Sequence, residues 1–242
     1  MRVSRLWVSA PLQIGGNIEL DDAAAHYVRS VLRLKQDQAI DLFNGTGGEY
    51  RCRLTEVSRK SVRVHVEQFI DRAVESPLVV KLGMGISRGD RMDWALQKAV
   101  ELGVSQLTPL ITERCVIKFN DEKKQQRHQH WQGIIKHASE QSGRTHLPDL
   151  TAIGEISTWL PKQQGLCVFL DPFAEQTLSE LQPLDQQVTL LSGPEGGFSD
   201  QERQAAKAQG FVPVRLGARI LRTETAVLAA LTAVQTLWGD FK

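Results

Sequence analysis

Two loops near the end of the chain combine glycine with charged residues, a composition that suits ligand binding. The first loop, residues 193–198, is Gly-Pro-Glu-Gly-Gly-Phe and directly follows an apolar stretch. Three glycines in five positions let the main chain adopt positive φ and approach a ligand closely. The N–H and C=O groups of such a loop can bind the edges of an adenine or a ribose. The pattern is only weakly specific, so an ordinary strand-to-helix turn remains the alternative.

The second loop, residues 216–226, joins another apolar stretch to the last predicted helix. Thr223 suits the N-cap of that helix, and Glu224 suits the positive end of its dipole. Arg219 and Arg222 stand close to a glycine at a strand end. We interpret these two arginines as candidates for contact with a ligand or substrate, and surface ion pairs are the alternative.

Neither loop fits the common phosphate-binding patterns. The glycine spacing differs from the G-x-G-x-x-G of dinucleotide-binding folds, and no acidic residue follows at the required distance. No Lys-Ser or Lys-Thr pair follows the glycines, as a P-loop would require. The sequence therefore disfavours enzymes that bind nucleoside triphosphates.

The hydrophobic pattern divides the chain into a small β-rich domain, residues 1–72, and an α/β domain, residues 73–242. The first domain contains a predicted helix over 22–32 and predicted strands over 40–43, 50–54 and 62–66. In the second domain strands and helices alternate, with strands over 79–84, 106–111, 166–170 and 187–191, and helices over 90–102, 121–142, 199–210 and 223–238. Such alternation predicts a mainly parallel sheet with helices on both faces, which binds ligands beyond the carboxyl ends of its strands.

Two local features refine this prediction. Pro109 cannot donate a ladder hydrogen bond, so we expect it at an edge strand or a strand end. The last helix, 223–238, is apolar around most of its circumference. We therefore expect it to be buried on more than one side, either within the chain or in a subunit interface.

Composition narrows the class of protein. Hydrophobic residues make up 41% and charged residues 24%, as in globular proteins. No apolar run is long enough to span a bilayer, and the basic first residues precede no apolar stretch, so we expect a cytoplasmic protein without a signal peptide. Cys52, Cys115 and Cys167 form neither a metal-ligand nor a redox pattern, which predicts reduced thiols and no metal. The net charge of +1 excludes a uniformly basic nucleic-acid binder, so local clusters of charge matter more.

Several motifs together resemble one known family. Residues 191–198, with 216–217 and 220–226, strongly resemble the RsmE family, bacterial ribosomal small-subunit (16S) RNA methyltransferases of the SPOUT superfamily that act on uridine N3. Residues 26–34, 97–104 and 140–144 are similar to other signatures of that family. The resemblance covers nearly the whole chain and is specific in combination.

The resemblance implies an architecture and a function. The fold would be a SPOUT-type α/β domain with a C-terminal trefoil knot, preceded by a PUA-like RNA-binding domain. The cofactor would be S-adenosyl-L-methionine, the substrate a uridine of ribosomal small-subunit RNA or of the assembled small subunit, and the enzyme a homodimer. A SPOUT methyltransferase acting on another ribosomal or transfer RNA position is one alternative. A non-enzymatic RNA-binding ribosome-assembly factor is the other.

Candidate site residues follow from the matched motifs. Glu195 or Glu140 would accept the N3 proton, and Arg222 or Arg144 would stabilise negative charge on the uracil oxygens. Fixing a turn is an equal alternative for Glu195. The cofactor would contact Leu191, Ser192, Gly193, Pro194, Glu195, Gly196, Gly197, Leu216, Gly217, Ile220, Leu221, Arg222 and Thr225.

Basic residues of the first domain are the candidates for RNA contact. Such side chains typically meet phosphates and position the RNA without reading its sequence. Arg29 and Arg33 lie four positions apart, which would place them on one face of the predicted helix. The candidates are Arg5, Arg29, Arg33, Arg51, Arg53, Arg59, Lys60 and Arg63.

Overall fold

The chain forms two compact units. A computed structural model describes residues 3–115 and 120–242. Within them, the first unit comprises residues 3–75 and Ser139–Leu147, and the second comprises residues 76–115, 120–138 and 148–242. The first unit therefore includes a short segment that lies far from the rest of it in the sequence.

The first unit is built on a five-stranded sheet. Its strand order is β1-β3-β4-β5-β2, in which β1 runs parallel to β3 and the other neighbours are antiparallel. Alternating residues of one strand, Val62, Val64 and Val66, are fully buried, which is the pattern of a strand with one face on the core. The strands are β1 (Ser4–Trp7), β2 (Asn17–Glu19), β3 (Ala39–Phe43), β4 (Glu49–Val57) and β5 (Val62–Ile70).

The helical segment of the first unit differs from the prediction. The α-helix α1 covers only Asp22–His26, and the chain continues as a π-helix over Tyr27–Val31. Arg33 follows with a left-handed φ of 52°. The prediction of one helix that carries Arg29 and Arg33 on a shared face is therefore wrong, because the wider π-turn and the left-handed residue change the spacing.

The second unit has a parallel sheet, as predicted. Its order is β12-β10-β11-β6-β7-β8, and β9 also pairs with β7. The strands are β6 (Val79–Gly85), β7 (Gln106–Ile111), β8 (Asp149–Leu150), β9 (Gly154–Glu155), β10 (Leu166–Leu170), β11 (Gln187–Ser192) and β12 (Val212–Val214). The α-helices are α2 (Asp90–Glu101), α3 (Asp121–Ser142), α4 (Ile156–Trp159), α5 (Asp200–Ala208) and α6 (Thr223–Trp238).

Helices cover both faces of this sheet. Val168 and Leu190 belong to one apolar cluster, with residues of α2, α3 and α6. Their chain neighbours Phe169 and Leu191 belong to a second cluster, with residues of α4 and α5. Successive strand residues point to opposite faces, so a strand buried on both sides is apolar throughout. The prediction of helices on both faces is confirmed, whereas the trefoil knot stays a prediction.

Pro109 lies inside β7 rather than at an edge strand or a strand end, so that prediction is wrong. On one side it is opposite Met84 of β6. On the other side, β8 pairs with Gln106 and Leu107, whereas β9 pairs with Leu110 and Ile111. The proline therefore falls in the gap between two short strands, where its missing N–H costs no ladder hydrogen bond.

A buried arginine joins the separate segment to the rest of the first unit. Arg5 is 4% exposed and pairs with Glu49, with 2.6 Å between Nε and Oε2. Its other nitrogens donate to the carbonyl oxygens of Ser139, Glu140 and Arg144 at 3.2, 3.0 and 2.8 Å. The last carbonyls of a helix lack partners and carry partial negative charge, so a cation satisfies them well. A guanidinium buried in this way cannot reach a phosphate, and we therefore leave Arg5 out of the RNA-contacting set.

We expect Arg5→Met to lower the free energy of unfolding by about 3 kcal/mol, because it leaves a buried carboxylate and several carbonyls without their main partner. Arg72 still lies 3.4 Å from Glu49, which keeps the loss at the low end of the range for a broken buried pair. Arg53→Met is the matched control. It breaks the largely exposed pair with Glu67 and should cost less than about 1 kcal/mol. Urea denaturation followed by circular dichroism measures both, and equal losses would contradict this account of Arg5.

Candidate functional site

A cavity of about 290 Å³ opens at the carboxyl end of the parallel sheet in the second unit. Three neighbouring strands, β12, β10 and β11, end there, and the residues that follow each of them form the walls. This is the place where open α/β sheets bind ligands. The topology therefore brings together the two glycine-containing loops that the sequence singles out.

Most of the predicted cofactor residues line this cavity. Leu191 does not, because it is buried in the core, and Gly217, Arg222 and Thr225 are also outside the lining. The predicted residues that do line it are Ser192, Gly193, Pro194, Glu195, Gly196, Gly197, Leu216, Ile220 and Leu221.

The first glycine loop is a tight turn that packs closely on a neighbouring strand. The N–H of Gly197 donates to the carbonyl of Pro194 at 2.8 Å, and Gly197 has a left-handed φ of 66°. At the end of β6, a Cβ on Gly85 would lie 2.5 Å from Cδ of Pro194. No side chain fits there, so the position of the loop depends on bare main chain at Gly85.

The structure adds charged residues to the lining that the sequence analysis missed. Asp171, directly after β10, forms an ion pair with Arg203 of α5. The same carboxylate accepts a hydrogen bond from the N–H of Phe173 at 3.0 Å, which fixes the loop after β10. Asp-Pro directly after the predicted strand 166–170 is a signal that could have identified this loop. Arg114, from the segment after β7, also lines the cavity and donates to the carbonyl of Gly196 at 2.9 Å.

Glu195 connects the glycine loop to the residues that follow β6. Its carboxylate accepts a hydrogen bond from the main-chain N–H of Arg88 at 3.0 Å and pairs with Arg91 at 3.3 Å. Partial burial raises the pKa of Glu195, but these hydrogen bonds and the charge of Arg91 together hold it below the usual range. A carboxylate with a lowered pKa is a weaker base. The contacts therefore favour the role that the sequence left as an alternative, fixing a turn.

The two arginine candidates for charge stabilisation have different surroundings. Arg222 is exposed and is the N-cap of α6, between Leu221 and Thr223, which both line the cavity. Thr223 is thus the first residue of the helix, and the prediction of Thr223 as the N-cap is wrong by one position. Arg144, in the first unit, is 9% exposed and pairs with Glu75 at 2.6 Å. Only Arg222 therefore presents its guanidinium to solvent.

Glu140 is also engaged within the first unit. Its Oε1 accepts a hydrogen bond from the main-chain N–H of Trp7 at 3.1 Å, and the residue is buried. Within the described residues, neither Glu140 nor Arg144 belongs to the lining of the cavity. Their contacts hold the segment Ser139–Leu147 on the first unit.

The RNA-contact candidates of the first unit fall into two groups. The first group is neutralised by carboxylates on the same sheet: Arg51 pairs with Asp41, Arg53 with Glu67 and Arg63 with Glu19. The second group has no ion pair in the part of the chain that the structure describes. It consists of Arg29, Arg33, Arg59 and Lys60.

Three members of the second group lie close together. The Arg29 guanidinium donates to the carbonyl of Ser58 at 3.1 Å. Ser58 begins the turn between β4 and β5, and the next two residues are Arg59 and Lys60, which are both exposed. We name Arg29, Arg33, Arg59 and Lys60 the unpaired basic set.

Residues 3–115 and 120–242 contain neither a cluster of metal ligands nor a membrane-spanning helix. No group of three or more His, Cys, Asp or Glu side chains there could hold a metal ion. In the same residues, no helix combines the length and apolarity needed to cross a bilayer. Burial raises the pKa of the Cys52 thiol to about 12, which makes it unreactive.

Comparison with known proteins agrees with this geometry. Residues 74–235 match the RNA methyltransferase domain family, and residues 20–67 match the RNA methyltransferase PUA domain family. The ribosomal RNA small subunit methyltransferase E of Buchnera aphidicola (from Schizaphis graminum) is 35% identical over 99% of this chain and 98% of its own length. The protein of that name from Bacillus subtilis is 30% identical over 89% of this chain and 90% of its own.

Solved structures give the same result. The ribosomal RNA small subunit methyltransferase E of Neisseria gonorrhoeae, bound to S-adenosyl methionine, has a TM-score of 0.93 and 37% identity, with both chains fully covered. A Legionella pneumophila protein in complex with the cofactor SAM has a TM-score of 0.97 and 37% identity, also with full coverage of both.

Fold, cavity and matches define the class of this protein. A parallel α/β unit with glycine loops at its strand ends, matched over most of its length to that domain family, is an RNA methyltransferase. More narrowly, the chain belongs to the ribosomal RNA small subunit methyltransferase E family. The predictions of the RsmE family and of the enzyme class are confirmed.

We expect the Glu195 carboxyl to titrate below the usual range, and Arg91→Gln to raise its pKa towards that range. The lowered pKa means that the Glu195–Arg91 contact is fully formed at neutral pH and is lost as the pH falls through the folded-state pKa. Carbon-13 NMR of the glutamate carboxyls measures the titration, with Glu195→Gln used to assign the signal. An unchanged titration in Arg91→Gln would show that the ion pair has no influence on this carboxyl.

Proposed function

We propose that this chain transfers a methyl group from S-adenosyl-L-methionine to N3 of a specific uridine in small-subunit (16S) ribosomal RNA. The observation that carries the proposal is the cavity at the strand ends, lined by the first glycine loop and by apolar side chains, in a chain of this family. The Neisseria gonorrhoeae and Legionella pneumophila relatives, each 37% identical, hold the same cofactor in their structures.

The residues of the cavity fit this cofactor. S-adenosyl-L-methionine supplies an electrophilic methyl group on a positively charged sulfur. Apolar side chains form much of the wall and suit an adenine ring and a thioether. Arg219 lies at the opening, where it can meet the carboxylate of the methionyl group, and main-chain groups of the loops can bind the ribose and adenine edges. The apolar wall residues include Leu170, Phe198, Val214, Leu216, Ile220 and Leu221.

The chain must orient the base and stabilise its charge. Methyl transfer forms the N3–methyl bond as the sulfur–methyl bond breaks, and the N3 proton leaves to an acceptor. As that proton leaves, negative charge spreads over N3 and the uracil oxygens, and it is cancelled when N3 takes the methyl group. We assign the stabilisation of this charge to Arg222 rather than Arg144, because Arg144 is buried against Glu75. Glu195 acts mainly as a positioning residue, since its contacts lower its basicity. We do not assign proton acceptance to Glu140, whose carboxylate binds the Trp7 N–H.

We further propose that the first unit holds the RNA through the unpaired basic set. Cations that already pair with carboxylates on their own sheet gain little from a phosphate, because the existing pair must be broken first. Side chains without such partners can meet phosphates directly. The substrate is ribosomal small-subunit RNA, either free or in the assembled small subunit.

We also propose that the enzyme works as a homodimer in the cytoplasm. The last helix, α6, contributes Val227, Leu231 and Val234 to the core of the second unit. Leu237 of the same helix is 43% exposed. Thr225, Thr232 and Thr236 of this helix are exposed as well. We take the exposed part of α6, with Leu237, to be covered by a second copy of the chain.

The full chain should methylate unmodified small-subunit RNA at one uridine when S-adenosyl-L-methionine is supplied. Mass spectrometry of the RNA identifies the position and the N3-methyl product.

Gly85→Ala should weaken cofactor binding at least tenfold in calorimetry, because the new methyl group displaces the loop at Pro194. Gly133→Ala is the control: it adds the same atom in open space on a helix and should bind normally. A wild-type chain that binds no cofactor and methylates no uridine would refute the proposal.

We expect Arg59→Glu combined with Lys60→Glu to weaken binding of unmodified small-subunit RNA about tenfold or more at moderate salt, because two phosphate contacts become repulsive. Arg63→Glu is the comparison variant on the same sheet. It reverses a charge that is already paired with Glu19, so its effect should be smaller. Filter binding at a fixed salt concentration measures both. Equal effects would mean that paired and unpaired cations contribute alike.

A further inference from the structure

Three arginines of the second unit converge on the first glycine loop. Arg88 follows β6 and Arg91 lies in the first turn of α2, and both contact the Glu195 carboxylate, Arg88 through its main-chain N–H and Arg91 through its side chain. Arg114 comes from the segment after β7 and donates to the carbonyl of Gly196. A Cβ on Gly196 would lie 3.1 Å from Cβ of Arg114, so these two segments touch. All three arginines are exposed.

The charges of this cluster are not balanced. Arg91 is paired with Glu195. The guanidinium groups of Arg88 and Arg114 have no carboxylate within ion-pair distance in residues 3–115 and 120–242. Arg114 therefore adds a positive charge without a carboxylate partner to the lining of the cavity. Arg88 carries a second such charge on the exposed segment whose main chain contacts the glycine loop at Glu195.

We propose that Arg88 and Arg114 bind backbone phosphates of the substrate RNA next to the target nucleotide. The inference rests on the proposed function, because it takes the ligand of this surface to be the RNA that is methylated. A uridine whose N3 reacts must leave its base pair and separate from the bases stacked on it. The phosphates on either side of it then need to be held. Exposed arginines without acidic partners are suited to that role, since they bind phosphate oxygens in a fixed geometry.

The Glu195–Arg91 pair leads to a second prediction, in which a substitution strengthens RNA binding instead of weakening it. Glu195 neutralises one of the three arginines and thereby limits the positive charge at the opening. Glu195→Gln removes that negative charge but keeps a side-chain oxygen that can accept from the Arg88 N–H. The variant should therefore bind RNA more tightly and with a steeper salt dependence, whatever it does to catalysis.

The test uses the full chain and unmodified small-subunit ribosomal RNA transcribed in vitro. Affinity is measured across a range of salt concentrations for Arg88→Gln, Arg114→Gln, the double variant and Glu195→Gln. Each lost phosphate contact should reduce the slope of log K against log salt by about 1, and the double variant should lose about 2. Arg127→Gln, an exposed arginine on α3 of the same unit, is the matched control and should keep the wild-type slope.

The results separate this inference from the proposed function. If the double variant keeps the slope and affinity of the wild type and of Arg127→Gln, the phosphate contacts do not exist and the inference is overturned, even where the wild type methylates RNA normally. If the wild type neither binds S-adenosyl-L-methionine in calorimetry nor methylates RNA, the proposed function fails, and the salt slopes still decide whether these arginines meet phosphate. A Glu195→Gln variant with a shallower slope than the wild type would also count against the inference.

Discussion

The close contact between β6 and the glycine loop is the constraint on which the cavity depends. Gly83 and Gly85 lie two residues apart on β6 and therefore share a face of the sheet. A side chain at Gly83 would overlap Trp159, and one at Gly85 would overlap Pro194. These two positions of the central strand β6 must therefore lack side chains so that Trp159 and the first glycine loop can pack on them. The glycine loop can lie this close to β6 only because Gly85 has no side chain, and this contact fixes the position of one wall of the cavity.

Charged groups also fix the loops around the cavity, and the Glu195 carboxylate is the clearest case. It links the loop after β11 to the N–H of Arg88 and to the side chain of Arg91, which come from a neighbouring strand end. The same contacts that fix the loop lower its pKa and so make it a weaker proton acceptor. Positioning and general-base catalysis therefore compete at this residue. The contacts that hold the loop stabilise the ionised form of the carboxylate, and a carboxylate stabilised in this way binds a proton less strongly.

Regular elements could be predicted from the sequence where caps and periodicity agree. The bounds predicted for β7, α3 and α6 match the structure, and Gly143 ends α3 with a left-handed φ of 91°, as a glycine after a helix should. The π-helix over Tyr27–Val31 could not be predicted, because its apolar spacing resembles that of an α-helix. The pairing of Arg5 with Ser139–Arg144 depends on contacts more than 130 residues apart in the chain, which no local pattern encodes.

Ion pairs within the protein bear on how a chain with a net charge of only +1 can bind RNA. On the first unit, cross-strand ion pairs such as Arg53–Glu67 and Arg63–Glu19 consume positive charge within the sheet, so the count of arginines overstates what is available to a phosphate. Among the candidates for RNA contact, the cations without a carboxylate partner in the described residues are the four of the unpaired basic set, of which Arg59 and Lys60 lie in the turn between β4 and β5 and Arg29 lies in the π-helix. An overall charge near zero also keeps the long-range field weak. Selectivity for RNA then has to come from a small number of well-placed contacts. The residues that can make these contacts are the cations that have no carboxylate partner in the protein, whether or not other basic residues surround them.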